Sequence, residues 1–220
     1  LHTHSHYSLL DGLSKIPELV KKAKSYGMPA LALTDHGSMY AAIEFYKECK
    51  KAEIKPIIGV EAYIANRSRF DKDPGVDNKR FHLTLLARNT QGYKNLMTLV
   101  TKANLEGYYY KPRMDKDLLK EYGDGLICLT GCPGSEFVHY LKSDDLDSAR
   151  GLVQFYIDTF GRESVFVEIM KHDEVEWYVP LQKKIQAMAE EFNLPLVGTW
   201  DSHYLHKDDN EAHDTLVAIN

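Results

Sequence analysis

Nine side chains able to coordinate a metal ion, His2, His4, Asp11, His36, Glu61, His82, Cys132, Asp201 and His203, are spread along the 220-residue sequence, most of them where an apolar run stops. His2 and His4 are two apart on a segment read as extended, so their imidazoles project from one face and can chelate one ion together. Asp201 and His203 repeat that spacing in Trp200-Asp201-Ser202-His203, and Asp11 follows a turn in Leu9-Leu10-Asp11-Gly12. His36 lies just beyond the apolar run Ala30 to Leu33, where a ligand or a capping histidine would fit. Taken alone, an HxH pair fits ordinary surface histidines as well as it fits a ligand pair.

Glu61 says more, because it interrupts the apolar stretch Ile57 to Ile64. A carboxylate in a buried strand must be paired or bound to a cation, since an isolated buried charge is expensive. A Lys or Arg partner would satisfy it, and so would an ion. A carboxylate can also bridge two ions. His82 opens its apolar run, which is the wrong end for a ligand in a parallel barrel, so its position alone reads as structural. Cys132 closes Leu129-Thr130-Gly131-Cys132, where a thiolate suits zinc, whereas Cys49 and Cys128 sit within apolar patterns and read as core residues.

The elements that must position these groups alternate along the chain. Strands are predicted at Leu1 to Thr3, Ala30 to Thr34, Pro56 to Tyr63, Phe81 to Ala87, Leu126 to Thr130, Val165 to Ile169 and Pro195 to Thr199. Helices are predicted near Ser14 to Tyr26, Met39 to Lys51, Gln91 to Ala103, Asp115 to Tyr122, Leu146 to Phe160, Val175 to Phe192 and Asp208 to Ile219. In the first helix Ile16, Leu19, Val20 and Ala23 share a face, with Ser14 as the expected N-cap and Gly27 as the stop. Seven strand-helix alternations predict parallel strands joined by crossover helices. Candidate ligands at almost every strand end favour an α/β closed seven-stranded TIM-like barrel over an open doubly wound sheet, with the metal site at the C-terminal ends of the strands. The stretch from Ala65 to Arg80, with Arg67, Arg69, Lys72, Lys79 and Arg80 beside Pro74 and Gly75, reads as an exposed loop.

Composition limits what such a site serves. Residues 1–220 suit one domain, large enough to fold without a metal. The net charge of -5, from 27 Lys plus Arg against 32 Asp plus Glu, provides no global field for nucleic acid. Contact with DNA must then be local, and Tyr108-Tyr109-Tyr110-Lys111-Pro112-Arg113 combines aromatics for stacking with cations for phosphate. The same tyrosines would also suit packing against another domain. Three cysteines without a CxxC pair argue against a disulfide framework or zinc ribbon. No membrane span or signal segment is evident, so a cytoplasmic protein is expected, and the abrupt start at Leu1 suggests a fragment of a longer chain.

The segments LHTHSHYSLLDG, LTDHGSMY, IIGVEAY, FHLTLLARN, GYYYKPRMDKDLL, LICLTGC and WDSHYL, in that order, resemble the PHP domain (polymerase and histidinol phosphatase) of bacterial replicative polymerase alpha subunits. The resemblance covers essentially the whole chain and implies a distorted seven-stranded barrel holding two to three divalent ions. It assigns one ion to His2, His4, Glu61 and Asp201, a second to Glu61, His82 and Cys132, and a third to Asp11, His36 and His203. Zinc is the expected metal, with manganese or iron as alternatives.

The implied activity is phosphoester hydrolysis by a two-metal mechanism without a protein nucleophile, with a DNA 3′ end, a phosphomonoester or a pyrophosphate as substrate. Arg80, Tyr110, Lys111 and Arg113 are the expected substrate contacts. The implied partners are the remaining polymerase domains in cis and a separate proofreading subunit, with the nucleotidyltransferase site outside this chain. A silent metal-stabilised scaffold and a free-standing phosphatase remain alternatives. His6 stands where similar sequences usually carry an acid and has no assigned role, and Met170 to Glu174 departs from the family pattern, so His172 fits a substrate contact and an exposed loop residue equally well.

Overall fold

A computed structural model describes residues 1–171 and 175–219. His172, and with it the choice between substrate contact and loop residue, lies outside the described residues.

Helix α1 (Ile16–Ser25) buries Ile16, Leu19, Val20 and Ala23, the face expected from their spacing. Its N-terminus differs from expectation: Lys15 occupies the cap position, and the buried Ser14 hydroxyl has no hydrogen-bond partner. Gly27, at φ 68°, turns the chain after the helix, a conformation glycine adopts without strain. Strand β1 (Ala30–Leu33) then pairs in parallel with β2 (Lys55–Ala65) across α2 (Ala42–Lys51).

The next strand departs from an all-parallel arrangement. β3 (Arg80–Ala87) runs antiparallel to β2, with Tyr63 opposite His82 and Glu61 opposite Thr84. β3 is also antiparallel to β6 (Leu126–Leu129). Between these two strands come α3 (Thr90–Leu105), the short β4 (Tyr108–Tyr109), β5 (Lys111–Met114) and α4 (Lys116–Tyr122). β5 pairs in parallel with the far end of β2, Tyr63 opposite Arg113, so the 11-residue β2 serves β1 with one half and β5 with the other. After β6 follow α5 (Glu136–Lys142), α6 (Leu146–Phe160), β7 (Val165–Met170), α7 (Val179–Glu191), β8 (Leu196–Thr199) and α8 (Asn210–Val217). β6, β7 and β8 are parallel.

The sheet order is β4-β5-β2-β3-β6-β7-β8, with β1 beside β2. The result is a curled mixed sheet, a half-barrel, in place of the all-parallel closed barrel expected. Leu1 to Thr3 is not a strand but makes one bridge, Thr3 to Ser202. His4 N donates to Ser202 O (2.8 Å) and Thr34 N to Thr3 O (2.9 Å), which ties the N-terminal segment between the end of β1 and the chain after β8.

The larger core, with Leu83, Leu85, Leu96, Phe137, Val153 and Ile185, joins β3 to α3, α5, α6 and α7. A second core of Ile16, Leu33 and Phe45 holds α1 and α2 on β1. Each fully buried Leu or Phe contributes roughly 1.5–3 kcal/mol. These cores hold rigid the strand ends that carry the candidate ligands.

Candidate metal centre

Glu61 is fully buried on β2 and sits between two groups of imidazoles. On one side His2 Nε2 lies 3.2 Å from its Oε1, and His4 Nε2 3.3 Å from its Oε2. On the other, His36 Nδ1 lies 2.7 Å from Oε2 and His82 Nδ1 3.0 Å from Oε1. Cys132 Sγ donates to Oε1 at 3.1 Å. Asp201 Oδ1 is 3.3 Å from His2 Nε2 and 3.1 Å from His4 Nε2. Asp11 Oδ2 is 2.8 Å from His36 Nε2 and 3.3 Å from His203 Nε2.

All nine candidate ligands therefore meet at one place. His82 belongs because β3 runs antiparallel, so its first residues lie beside the end of β2 that carries Glu61. Imidazoles, and not a Lys or Arg, surround the Glu61 carboxylate. Asp201 adopts φ 53°, a left-handed conformation uncommon for a residue with a side chain, and Asp is among those that tolerate it.

Other side chains aim these ligands. Glu168 Oε1, on β7, accepts from His2 Nδ1 at 2.8 Å and from Thr199 Oγ1 at 2.5 Å. Asp35 accepts from Ser5 N (2.7 Å), Ser5 Oγ (2.8 Å) and Ser8 Oγ (2.8 Å). Because the Ser8 proton goes to Asp35, His4 Nδ1 must donate to Ser8 Oγ at 2.8 Å. His203 Nδ1 donates to the Asp201 carbonyl at 2.9 Å. In each of these histidines Nδ1 is occupied and Nε2 faces the cluster, the arrangement that outer-shell acceptors impose on metal-binding imidazoles.

The chemistry of the donor set fits cations. His2 Nε2, His4 Nε2, His36 Nδ1, Glu61 Oε2 and Asp201 Oδ1 are buried without hydrogen-bond partners, although such groups are nearly always satisfied in folded proteins. The ligand atoms of His2, His4, Glu61 and Asp201 all lie within 4.8 Å of one another, as do those of His36, Glu61 and His82, and those of His4, His36 and His203. Four donors at about 2.0–2.2 Å from a tetrahedral ion stand roughly 3.3–3.6 Å apart. The spacings of 3.1–3.3 Å around His2 and His4 are close to that figure.

Protons take the place of cations in the electrostatics. Burial would lower the His2 imidazole, but Glu61, Glu168 and Asp201 outweigh it and hold its pKa well above the usual value. Burial likewise works against His36, while the carboxylates of Asp11 and Glu61 beside it raise it to about 9. Burial works upward on Glu61, but His2 and His82 keep it well below the carboxylate range. Burial, with Glu61 and Asp201, pushes the Cys132 thiol well up.

The expected substrate contacts divide. Arg113 is corrected: its guanidinium is fully buried and donates to the carbonyls of Gly107 (3.0 Å), Asp77 (2.9 Å), Arg69 (3.0 Å) and Asp71 (2.9 Å). It holds the 66–79 loop in place and is not available to phosphate. Arg67 and Arg69 are likewise engaged, by Asp73 and Asp77 and by Glu106 and Asp115. Lys111, by contrast, lines a cleft of about 230 Å³ that opens at Asp11 and His36 between Tyr7, Tyr40, Tyr63 and Tyr108. Arg80 lies over the Tyr63 ring at 5.5 Å. Tyr110 is exposed, packs edge-on against Tyr109 and does not line this cleft. His6 is exposed and contacts the Ser14 carbonyl, outside the cluster.

Sequence reading missed Glu168, Asp35 and Ser8. Glu168 was findable, because it interrupts Val165-Phe166-Val167-Glu168-Ile169 as Glu61 interrupts its own run.

A half-barrel with clustered imidazoles and carboxylates at one edge is matched by a known class. The family model described as the PHP domain matches residues 1–172, and the chain belongs to that family. Its relatives include the DNA polymerase III alpha subunits of Thermus aquaticus (44% identical, covering 100% of this chain and 18% of the relative) and Borreliella burgdorferi (41%, 100% and 19%). That of Deinococcus radiodurans is 44% identical, covering 100% of this chain and 17% of its own. The chain thus spans less than a fifth of the length of these relatives.

Among solved structures, a candidate metal-dependent phosphoesterase from Bifidobacterium adolescentis superposes with TM-score 0.57 at 13% identity, covering 92% of this chain and 86% of that one. An amidohydrolase from Chromobacterium violaceum, with bound sulfate and no metal, also gives 0.57 at 13% identity, covering 98% and 95%. At that identity they speak to the fold alone.

Proposed function

We propose that residues 1–220 form one metal-dependent phosphoesterase domain of a longer polymerase chain and act as a 3′–5′ exonuclease on DNA. The observation that carries this reading is the placement of Glu61, whose two oxygens face His2 and His4 on one side and His36 and His82 on the other. A carboxylate so placed suits a bridge between cations. One ion would be held by His2, His4, Glu61 and Asp201, a second by Glu61, His82 and Cys132, and a third by Asp11, His36 and His203. The site then lies at the C-terminal ends of the parallel strands, with zinc favoured by the imidazole-rich set and its single thiol.

Divalent ions there supply Lewis acidity and charge neutralisation for attack of water on phosphorus. The chain's own groups do the rest. Glu168, Ser8 and the Asp201 carbonyl hold the imidazole Nε2 atoms inward. Lys111, at the cleft beside His36, and Arg80, over the Tyr63 ring that lines it, suit the phosphates of an entering strand. The cleft tyrosines suit its unstacked bases. Relatives that are polymerase subunits favour this reading over a free-standing phosphatase and support other polymerase domains in cis and DNA as partners; a separate proofreading subunit is proposed beside them on the sequence resemblance alone.

The test is release of nucleotides from a 3′-labelled single strand by the zinc- or manganese-loaded chain, with Asp201→Ala as control. Hydrolysis by the parent chain and its loss in the variant supports the reading. No hydrolysis despite a full complement of ions would leave a metal-stabilised scaffold.

A further inference from the structure

Asp11 is approached by a third imidazole that none of the ligand sets includes. His213 Nε2, from α8, lies 3.4 Å from Asp11 Oδ1, while Oδ2 serves His36 and His203. That nitrogen is buried and has no hydrogen-bond partner. Its ring packs against His203 (5.6 Å between centroids) and Tyr204 (5.2 Å). His213 is not one of the nine candidate ligands, and it meets Asp11 at Oδ1, the oxygen that His36 and His203 do not use. The rest of α8 offers little else to fix it, since none of its residues is buried.

We propose that His213 is a positioning residue: its Nε2, buried 3.4 Å from Asp11 Oδ1 and hydrogen-bonded to nothing else, serves that oxygen as its donor, keeps Oδ2 toward His36 and His203, and thereby links α8 to the metal centre. The proposal rests on the metal-binding reading above, but the contact exists without ions and can be tested without them. A neutral imidazole that donates to a carboxylate fixes the direction of the acceptor's other oxygen, and the loss of such an outer partner lowers metal affinity by about 10–100-fold. The sequence offered no cue, because His213 stands in the polar run Asp208 to Asp214, far from any strand end.

Two measurements test it, neither of which reads turnover. In the first, ion content by elemental analysis and zinc affinity by chelator competition are compared for the parent, His213→Ala and His213→Gln. The expected result is that His213→Ala loses one ion per chain, or binds its weakest ion about 10–100-fold less tightly, and that the amide N–H of His213→Gln restores much of the loss. Unchanged content and affinity in His213→Ala would overturn the proposal.

In the second, amide exchange of α8 is followed in chelator-treated protein. Faster exchange at 210–217 in both Asp11→Asn and His213→Ala, with no further increase in the double variant, supports the link. Exchange in α8 that ignores Asp11→Asn overturns it. If the parent retains no ions, the metal reading fails, and the exchange experiment still decides the role of His213.

Discussion

His82 Nδ1 lies 3.0 Å from Glu61 Oε1 although His82 is near the beginning of its strand and Glu61 is past the middle of its own. In an antiparallel pair the start of one strand meets the end of the other, so β3 contributes a ligand from its N-terminal end. Substituting His82→Ala is expected to remove the ion shared with Glu61 and Cys132 while leaving the fold intact, because the ring is partly exposed and packs no core. Metal content should fall by one per chain, with the circular dichroism spectrum unchanged. Unaltered metal content would exclude His82 as a ligand.

Glu168 holds His2 Nδ1 from behind. Its replacement by Ala should weaken zinc binding about 10–100-fold, whereas Gln, whose carbonyl can still accept from Nδ1, should weaken it less. Competition with a chromophoric chelator measures both. Equal losses in the two variants would point to charge, and not orientation, as the contribution of Glu168.

Arg113 and Lys111 are two residues apart and should behave oppositely. Truncating Arg113 to Ala strands the carbonyls of the buried Gly107 and Asp77 and leaves those of the half-buried Arg69 and Asp71 to water, and a destabilisation of roughly 2–6 kcal/mol is expected from two unsatisfied groups that individually cost about 1–3 kcal/mol. Lys111→Ala, at the cleft, should change stability by less than about 0.5 kcal/mol and weaken binding of single-stranded DNA in a salt-dependent way. Urea unfolding and fluorescence anisotropy separate the two effects.

The protons that stand in for cations predict opposite pH behaviour with and without metal. In the metal-free chain His36 titrates near 9, above its unfolded value. The stability this provides is complete below about pH 6.5 and is lost as pH rises through about 9. Thermal melting of chelator-treated protein should therefore fall across that window. Zinc must displace those protons, so its affinity should rise across the same window, with proton release visible as buffer-dependent binding heat. A metal-free melting temperature that rises from pH 6.5 to 9 would contradict the assignment.

Local chemistry and local burial were legible in the chain. The nine ligand types, the apolar runs they terminate and the face of α1 all follow from neighbours a few residues apart, because burial imprints its period on composition. Leu146–Phe160 and Ala30–Leu33 came out at the places expected for the same reason. Glu168 carried the same signal as Glu61, an acid inside an apolar strand, and could have been read in the same way.

What residues 1–220 did not disclose were facts of pairing between distant segments. An apolar run looks alike whether its neighbour is parallel or antiparallel, so the direction of β3, and with it the membership of His82, was decided only when β3 paired with β2 and β6. Arg113 looks like a phosphate contact beside three tyrosines, until the carbonyls of Arg69, Asp71 and Asp77 in the 66–79 loop, together with that of Gly107, take every guanidinium nitrogen. His213 meets Asp11 across about two hundred residues of sequence for which no local period exists. Side-chain type was written in the chain, but the partner of each hydrogen bond was selected by three-dimensional proximity. That proximity also makes nine scattered residues one site.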